Sequence, residues 1–271
     1  MLFTNCNSNS SKSIRFKEFC VVILKPAEFS HVSDRKEILQ IILKRIQDNL
    51  NQIPKTGNET RFPKADKNHE FIKPDSLLLL NEKTRIEKVS PHFMLKNFCE
   101  KTRSENKGIL LDPALVLKME ILYLYIKKLN PAAGIYISSG YRSLKENYEI
   151  GNRTKFSMHQ FGKAADIYIC KESNPGRYFI DINGDEKINK KDRWMLMHLL
   201  WKIENEFPEL CGYNQIYKRH VHTDIRGEEH PTMPKSLNKR KKIIKKDLQM
   251  KLNSLGGRND IINDLKSVFK I

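Results

Sequence analysis

The chain has 271 residues, 39% hydrophobic and 30% charged, with 49 Lys and Arg against 32 Asp and Glu for a formal charge of +17. Twelve glycines, five cysteines and no apolar run near the ~18 residues of a membrane span exclude a collagen-like repeat, a disulfide-stapled miniprotein and a multi-span membrane protein. Apolar segments recur through 71–227, which excludes global disorder, and the length suits one domain of ~100–200 residues with appendages.

The charge points to a polyanionic partner: nucleic acid, anionic lipid or an acidic cell-wall polymer. A Lys-rich composition that merely solvates the surface accounts for it equally well. Cys6, Cys20, Cys99, Cys170 and Cys211 are odd in number and form no C-x-x-C pair, so neither a zinc ribbon nor a disulfide framework is implied.

In chain order, residues 1–68 are a polar, basic N-terminal region and linker. Met1–Cys6 lacks a full signal-peptide core but reads like the end of a lipoprotein signal, with Cys6 as the lipidated residue if translation starts upstream. Ile38, Ile41, Ile42, Ile46 and Leu50 recur at helical spacing within Ser33–Gln52. Pro54–Lys67 has the composition of a linker. The compact domain spans 69–227. It is expected to open with a helix from Ser90 to about Thr102, marked by Phe93, Leu95 and Phe98. A second helix, Ala114–Leu129, follows the Asp112-Pro113 start signal and stops at Asn130-Pro131. Strands are expected at Gly134–Ser138, Ala164–Cys170 and His220–Ile225. Between the last two lies an insert, 171–210, with a helix at Asp192–Phe207. This order implies an α+β fold in which a small antiparallel sheet is flanked by helices. The basic tail, 228–271, reads as an amphipathic helix or a solvated helix face. Lys235–Lys246 interleaves no aromatics, which argues against a nucleic-acid stacking platform.

Two segments carry chemistry. In Ser157-Met158-His159-Gln160-Phe161-Gly162-Lys163-Ala164-Ala165-Asp166, a loop His and a strand Asp are separated by Gly162, which permits a tight turn, and by two alanines that leave room for an ion. In His220-Val221-His222-Thr223-Asp224, strand alternation puts His220, His222 and Asp224 on one face and Val221 and Thr223 toward the core. Two imidazoles and a carboxylate make a three-ligand zinc shell with a fourth position for water.

These segments, preceded by Ser139-Gly140-Tyr141-Arg142-Ser143 and Asn147, resemble the M15 family of zinc peptidases. That family comprises D-Ala-D-Ala carboxypeptidases and peptidoglycan endopeptidases and shares a fold with the hedgehog domain; the resemblance covers about residues 88–227. It implies that His159, Asp166 and His222 ligate zinc. It implies too that Arg142 binds a substrate carboxylate or the developing oxyanion, and that Ser157 orients the ligand loop or the substrate. Several branches carry the catalytic acid three residues before the last zinc His, where this chain has Arg219. His220 and Asp224 are then the candidates for the general base. The other possibility is that both only orient His222. The implied substrates are peptidoglycan stem peptides or muropeptides, hence a place in the cell envelope or periplasm or a phage lysis role. The basic tail would meet an anionic wall polymer or a membrane surface. The alternative is an inactive wall-binding module stabilised by zinc and calcium.

A calcium ion is expected from Asp181–Asp192, which resembles a dockerin-type EF-hand loop. Asp181, Asn183 and Asp185 stand at positions 1, 3 and 5, the Lys187 carbonyl at 7 and Asp192 at 12. Glu186 replaces the usual glycine at position 6. Among other histidines, His198 is expected in the core and His92 at a cap or packing position.

Overall fold

The computed structural model describes residues 35–57, 76–99, 107–151, 157–226 and 246–271. Cys6, Cys20, most of the linker and Lys235–Lys245 lie outside them. The helices are α1 (Arg35–Gln52), α2 (Pro113–Leu129), α3 (Leu144–Glu149), α4 (Lys190–Glu206), α5 (Lys246–Ser254) and α6 (Arg258–Phe269). The strands are β1 (Lys55–Thr56), β2 (Leu77–Leu80), β3 (Lys107–Ile109), β4 (Ala133–Ser139), β5 (Ala164–Lys171), β6 (Asn214–Ile216) and β7 (Val221–Asp224). They form two antiparallel sheets: β1-β2-β3 and β4-β5-β7-β6. No helix among the described residues is long and apolar enough to cross a membrane.

The expected α+β class is observed, and local chemistry explains much of it. Asp112 caps α2 by accepting a hydrogen bond from the Ala114 N–H (2.8 Å), and Pro113 opens the helix. Ile38, Ile41, Ile42, Ile46 and Leu50 form the buried stripe of α1. The helix expected from Ser90 to Thr102 does not form. A single 3-10 turn, Leu95–Phe98, stands there instead. The reason is competition: Val89 and Ser90 both donate to the Phe93 carbonyl (3.0 and 3.2 Å), so the chain folds back before a helix can propagate. The three short strands β1–β3, strand β6 and helix α3 were not anticipated; in the tail read as a helix, the described residues form two, α5 and α6. Each unanticipated element is too short, or too weakly patterned, to declare itself without its partner.

Helix α2 is the centre of the core, packed against α1, α4, α6 and β4. It also buries two charges. Glu120 accepts from the His92 N–H (2.9 Å) and lies 2.7 Å from His92 Nδ1, whose ring stacks on Tyr123 at 4.1 Å. Lys118, fully buried, donates to Glu204 Oε1 of α4 (2.7 Å) and to the Asp224 carbonyl of β7 (3.1 Å). Glu204 Oε1 also accepts from Asn214 Nδ2 (2.6 Å), and Asn214 Oδ1 accepts from the Thr223 hydroxyl (2.6 Å). One polar network thus ties α2 and α4 to the β6–β7 hairpin. Among the described residues Cys99, Cys170 and Cys211 form no disulfide.

Removing one member of a buried pair strands the other charge. Lys118→Met should therefore destabilise the fold by about 3–5 kcal/mol in urea unfolding, whereas Lys44→Met, at the exposed i,i+4 pair with Asp48, should cost under ~0.5 kcal/mol. His198 is buried on α4 between Trp194 and Trp201 (6.0 and 5.0 Å), and burial pulls its pKa down to about 4. The unfolded chain takes up this proton first, near pH 6.5, so the stability present above that pH drains away as the pH falls toward 4. His198→Phe should flatten the dependence of melting temperature on pH across this window. An unchanged slope would exclude His198 as a contributor.

Candidate metal centre

The site lies where β4, β5 and β7 run side by side. Antiparallel register pairs Asp166 of β5 directly with His222 of β7. A register shift between Ile137 and Ser139 places Ser139 of β4 opposite Asp166. His159 arrives from the 3-10 turn Met158–Phe161. That turn closes through Gly162, at φ 65°, where a Cβ would stand 2.3 Å from the Leu110 carbonyl oxygen, so only glycine fits. Ser157, half-buried, closes the same turn with its main chain: its N–H donates to Gln160 Oε1 (3.1 Å) and its carbonyl accepts from the Gln160 N–H (2.9 Å).

His159, Asp166 and His222 each direct one ligand atom to a common point, all within 4.8 Å of one another. His159 Nε2 is 3.3 Å from both His222 Nδ1 and Asp166 Oδ1, and His222 Nδ1 is 3.0 Å from that same oxygen. Both imidazoles are aimed by their far nitrogens. His159 Nδ1–H donates to the Gly140 carbonyl (2.7 Å), which leaves the Nε2 lone pair facing the cluster. His222 Nε2 lies 3.5 Å from Asp224 Oδ2, a carboxylate–histidine arrangement that directs Nδ1 inward. Asp224 is completely buried, clamped by Arg226 and by the Tyr213 N–H (2.7 Å).

The protonation states follow from these contacts. Burial pulls the His159 pKa down to about 4, so it is neutral, the form that binds metal. Burial works against ionised Asp166, but its close contacts with His159 and His222 outweigh it and hold its pKa far below the usual carboxylate range. The charged form of His222 is also opposed by burial, yet hydrogen bonds and the charges of Asp166 and Asp224 raise its pKa, so a metal there competes with a proton. Burial likewise opposes ionised Asp224, and the His222 hydrogen bond and Arg226 keep it ionised.

Arg142 is buried. Its Nε donates to Ser139 Oγ (2.6 Å), its Nη2 pairs with Asp166 Oδ2, and its backbone N–H donates to the His159 carbonyl (3.1 Å). It braces two of the three ligands. His220 is half-buried, with Nε2 3.5 Å from Asp166 Oδ1 and its ring stacked on Tyr217 at 4.9 Å. Arg219 is exposed in the turn that joins β6 to β7, closed by the Tyr217 N–H to the His220 carbonyl (2.9 Å). Ser139, the Gly140 carbonyl and Tyr217 are functional neighbours that sequence reasoning did not assign. Ser139 and Gly140 stand in the motif before Arg142, but nothing in the motif says what they touch.

The expected calcium residues behave differently. Asp181 accepts from the N–H groups of Gly184 (2.6 Å) and Glu186 (2.7 Å), and Asp185 Oδ2 is 2.5 Å from Lys191 Nζ. The Lys187 carbonyl accepts from Asn189 Nδ2 (3.3 Å). Asp192 accepts from Asn183 Nδ2 and the Ile182 N–H through Oδ1, and from the Asn189 N–H through Oδ2. Asp181, Asp185 and Asp192 do not converge as a ligand group; among the described residues only His159, Asp166 and His222 do so. Glu186 takes the left-handed φ of 61° at the position where glycine is usual.

Two imidazoles and one carboxylate with fixed tautomers form a donor set suited to zinc, with room for a further ligand. A family model described as Peptidase M15 matches residues 91–177, a stretch that includes Arg142, Ser157, His159 and Asp166 and ends before His222. The chain is similar to that family there, and the family implies a hydrolase that depends on zinc. Neither the curated proteins nor the solved structures searched yield a match.

Loss of a partner that orients a ligand weakens metal binding ~10–100-fold. Asp224→Asn should do so in a chelator-competition titration while circular dichroism stays native. Unaltered zinc affinity would mean that Asp224 does not orient His222.

Proposed function

We propose that the chain is a zinc-dependent peptidase that hydrolyses peptide bonds in peptidoglycan stem peptides at the cell envelope. The observation that carries this reading is the convergence of His159 Nε2, Asp166 Oδ1 and His222 Nδ1, each braced from behind. Zinc held by these three residues supplies an acidified water and a Lewis acid for the scissile carbonyl. Asp166 and Arg142 keep the two imidazoles in register. His220, the half-buried imidazole beside the ligands, accepts the proton of the attacking water at Nε2 and passes it to the leaving amine. Asp224 positions His222, because its oxygens are already taken by Arg226 and Tyr213. The exposed location of Arg219 supports His220 as the proton carrier.

The test is mass spectrometry of purified muropeptides incubated with zinc-loaded protein. Cleavage is expected, with loss of a terminal D-Ala for a carboxypeptidase or an internal cut for an endopeptidase. His159→Ala should abolish it, and His220→Ala should lower kcat ~100–10,000-fold with zinc content unchanged. Intact muropeptides that bind the zinc-loaded wild type would replace this reading with that of a wall-binding module.

A further inference from the structure

The tip of the β6–β7 hairpin presents a second aromatic group to the metal centre. Ile216 of β6 pairs with Val221 of β7, so Tyr217–His220 form the tip, and the Tyr217 N–H closes it on the His220 carbonyl (2.9 Å). Tyr217 therefore stands opposite His220, and opposite residues on antiparallel strands project from one face. His220 and His222 alternate onto the same face, so the Tyr217 side chain joins the ligands. The rings meet accordingly. Tyr217 stacks on His220 with centroids 4.9 Å and planes 26° apart, and it stands at 84° to the His222 ring, 6.4 Å away. Tyr217 is 42% exposed, and its hydroxyl meets no hydrogen-bond partner among the described residues. Tyr213, also beside His222, differs: its hydroxyl donates to Gln215 Oε1. What Tyr217 contributes to the site is the face of its ring.

His220 needs such a hold. Its Nε2 lies 3.5 Å from Asp166 Oδ1, beyond the ~2.7–3.2 Å of a normal N–H···O bond, so that contact is too long to fix the imidazole. Asp166 is meanwhile engaged by His159, His222 and Arg142. A proton carrier works only with its reacting nitrogen within hydrogen-bond reach of the water that it serves, and a misplacement of ~1 Å can cost ~100-fold. Two rings bound His220. Tyr168, at 6.4 Å, is buried and packs on Phe179 at 5.3 Å, which makes it a fixed wall. Tyr217 is the closer of the two and the one that stacks.

We propose that Tyr217 is a positioning residue for the proton transfer assigned to His220: its ring, and not its hydroxyl, holds the imidazole with Nε2 beside the metal ligands. The proposal rests on the peptidase reading and adds a residue to it.

Muropeptide cleavage by the full-length zinc-loaded protein tests it in the wild type, Tyr217→Phe, Tyr217→Leu, His220→Ala and the double variant Tyr217→Leu/His220→Ala. A stacked aromatic pair biases one ring orientation by about two- to tenfold, so Tyr217→Leu should lower kcat by that factor with KM and zinc content unchanged. Tyr217→Phe should keep the wild-type kcat. In the His220→Ala background Tyr217→Leu should cost nothing further, a coupling that a merely structural role would not produce. A second readout does not depend on cleavage. Modification of His220 by diethyl pyrocarbonate, followed peptide by peptide with His92 as the internal reference, should accelerate about two- to tenfold in Tyr217→Leu and not in Tyr217→Phe. A wild-type kcat in Tyr217→Leu, an equal loss in Tyr217→Phe, or a loss that persists without His220 overturns the positioning role. If the wild type cleaves nothing, the peptidase reading falls and the modification rates decide alone: acceleration confined to Tyr217→Leu upholds the hold on His220, and unchanged rates overturn it.

Discussion

The pairing of β5 with β7 is the constraint on which the rest of the site depends. Its register sets Asp166 opposite His222 and thereby brings a carboxylate and an imidazole from residues 56 apart to within 3.0 Å. A slip of one residue would turn both side chains to the opposite face. The buried network beneath guards against this. Lys118 grips the main chain at Asp224, and Thr223 is pinned to Asn214 on the neighbouring strand. Buried charge is a poor source of stability, because desolvation offsets most of the attraction. Here it ties the hairpin to α2 and α4 at fixed residues, Asp224 and Asn214, and so specifies register.

A second layer of polar contacts surrounds the ligands. Four groups approach Asp166 at once: His159, His220, His222 and Arg142. Such crowding of a buried carboxylate would be unfavourable in the absence of cations, and it explains why an arginine is buried beside it. A dication placed among the ligand atoms would fit the same electrostatic logic, since neutral His159 and ionised Asp166 are already in the forms that metals bind. The strand register shift at Ser139 serves the same end. It turns the hydroxyl toward Arg142 Nε and lets the Gly140 carbonyl reach His159.

Much of the ligand set was legible because its signals are local. Gly162 has to be glycine, and strand alternation alone groups His220, His222 and Asp224. The role of Arg142 was not legible: the motif places an arginine near the site but does not say whether it faces substrate or Asp166. Nor were the different surroundings of His220 and Asp224. The Arg226 clamp and the complete burial of Asp224, against the half-buried His220, depend on what packs around β7. The helix expected at Ser90 failed for a similar reason: the Phe93 carbonyl, which an α-helix would offer to the Asn97 N–H, accepts instead from Val89 and Ser90, and Asn97 turns to the Met94 carbonyl.

By itself, the sequence determined the α+β class, the stripe of α1, the start of α2, three strands of the four-stranded sheet and the segments that carry His159, Asp166 and His222. Each of these follows from side-chain periodicity or turn chemistry within a dozen residues. The tertiary structure alone decided the second sheet, the partners of Arg142 and Asp224, and the buried Lys118–Glu204 pair. It also decided how the 181–192 loop spends its carboxylates. Those outcomes depend on which distant segments meet, and a hydrogen-bond partner far along the chain leaves no periodic trace in the residue that it satisfies.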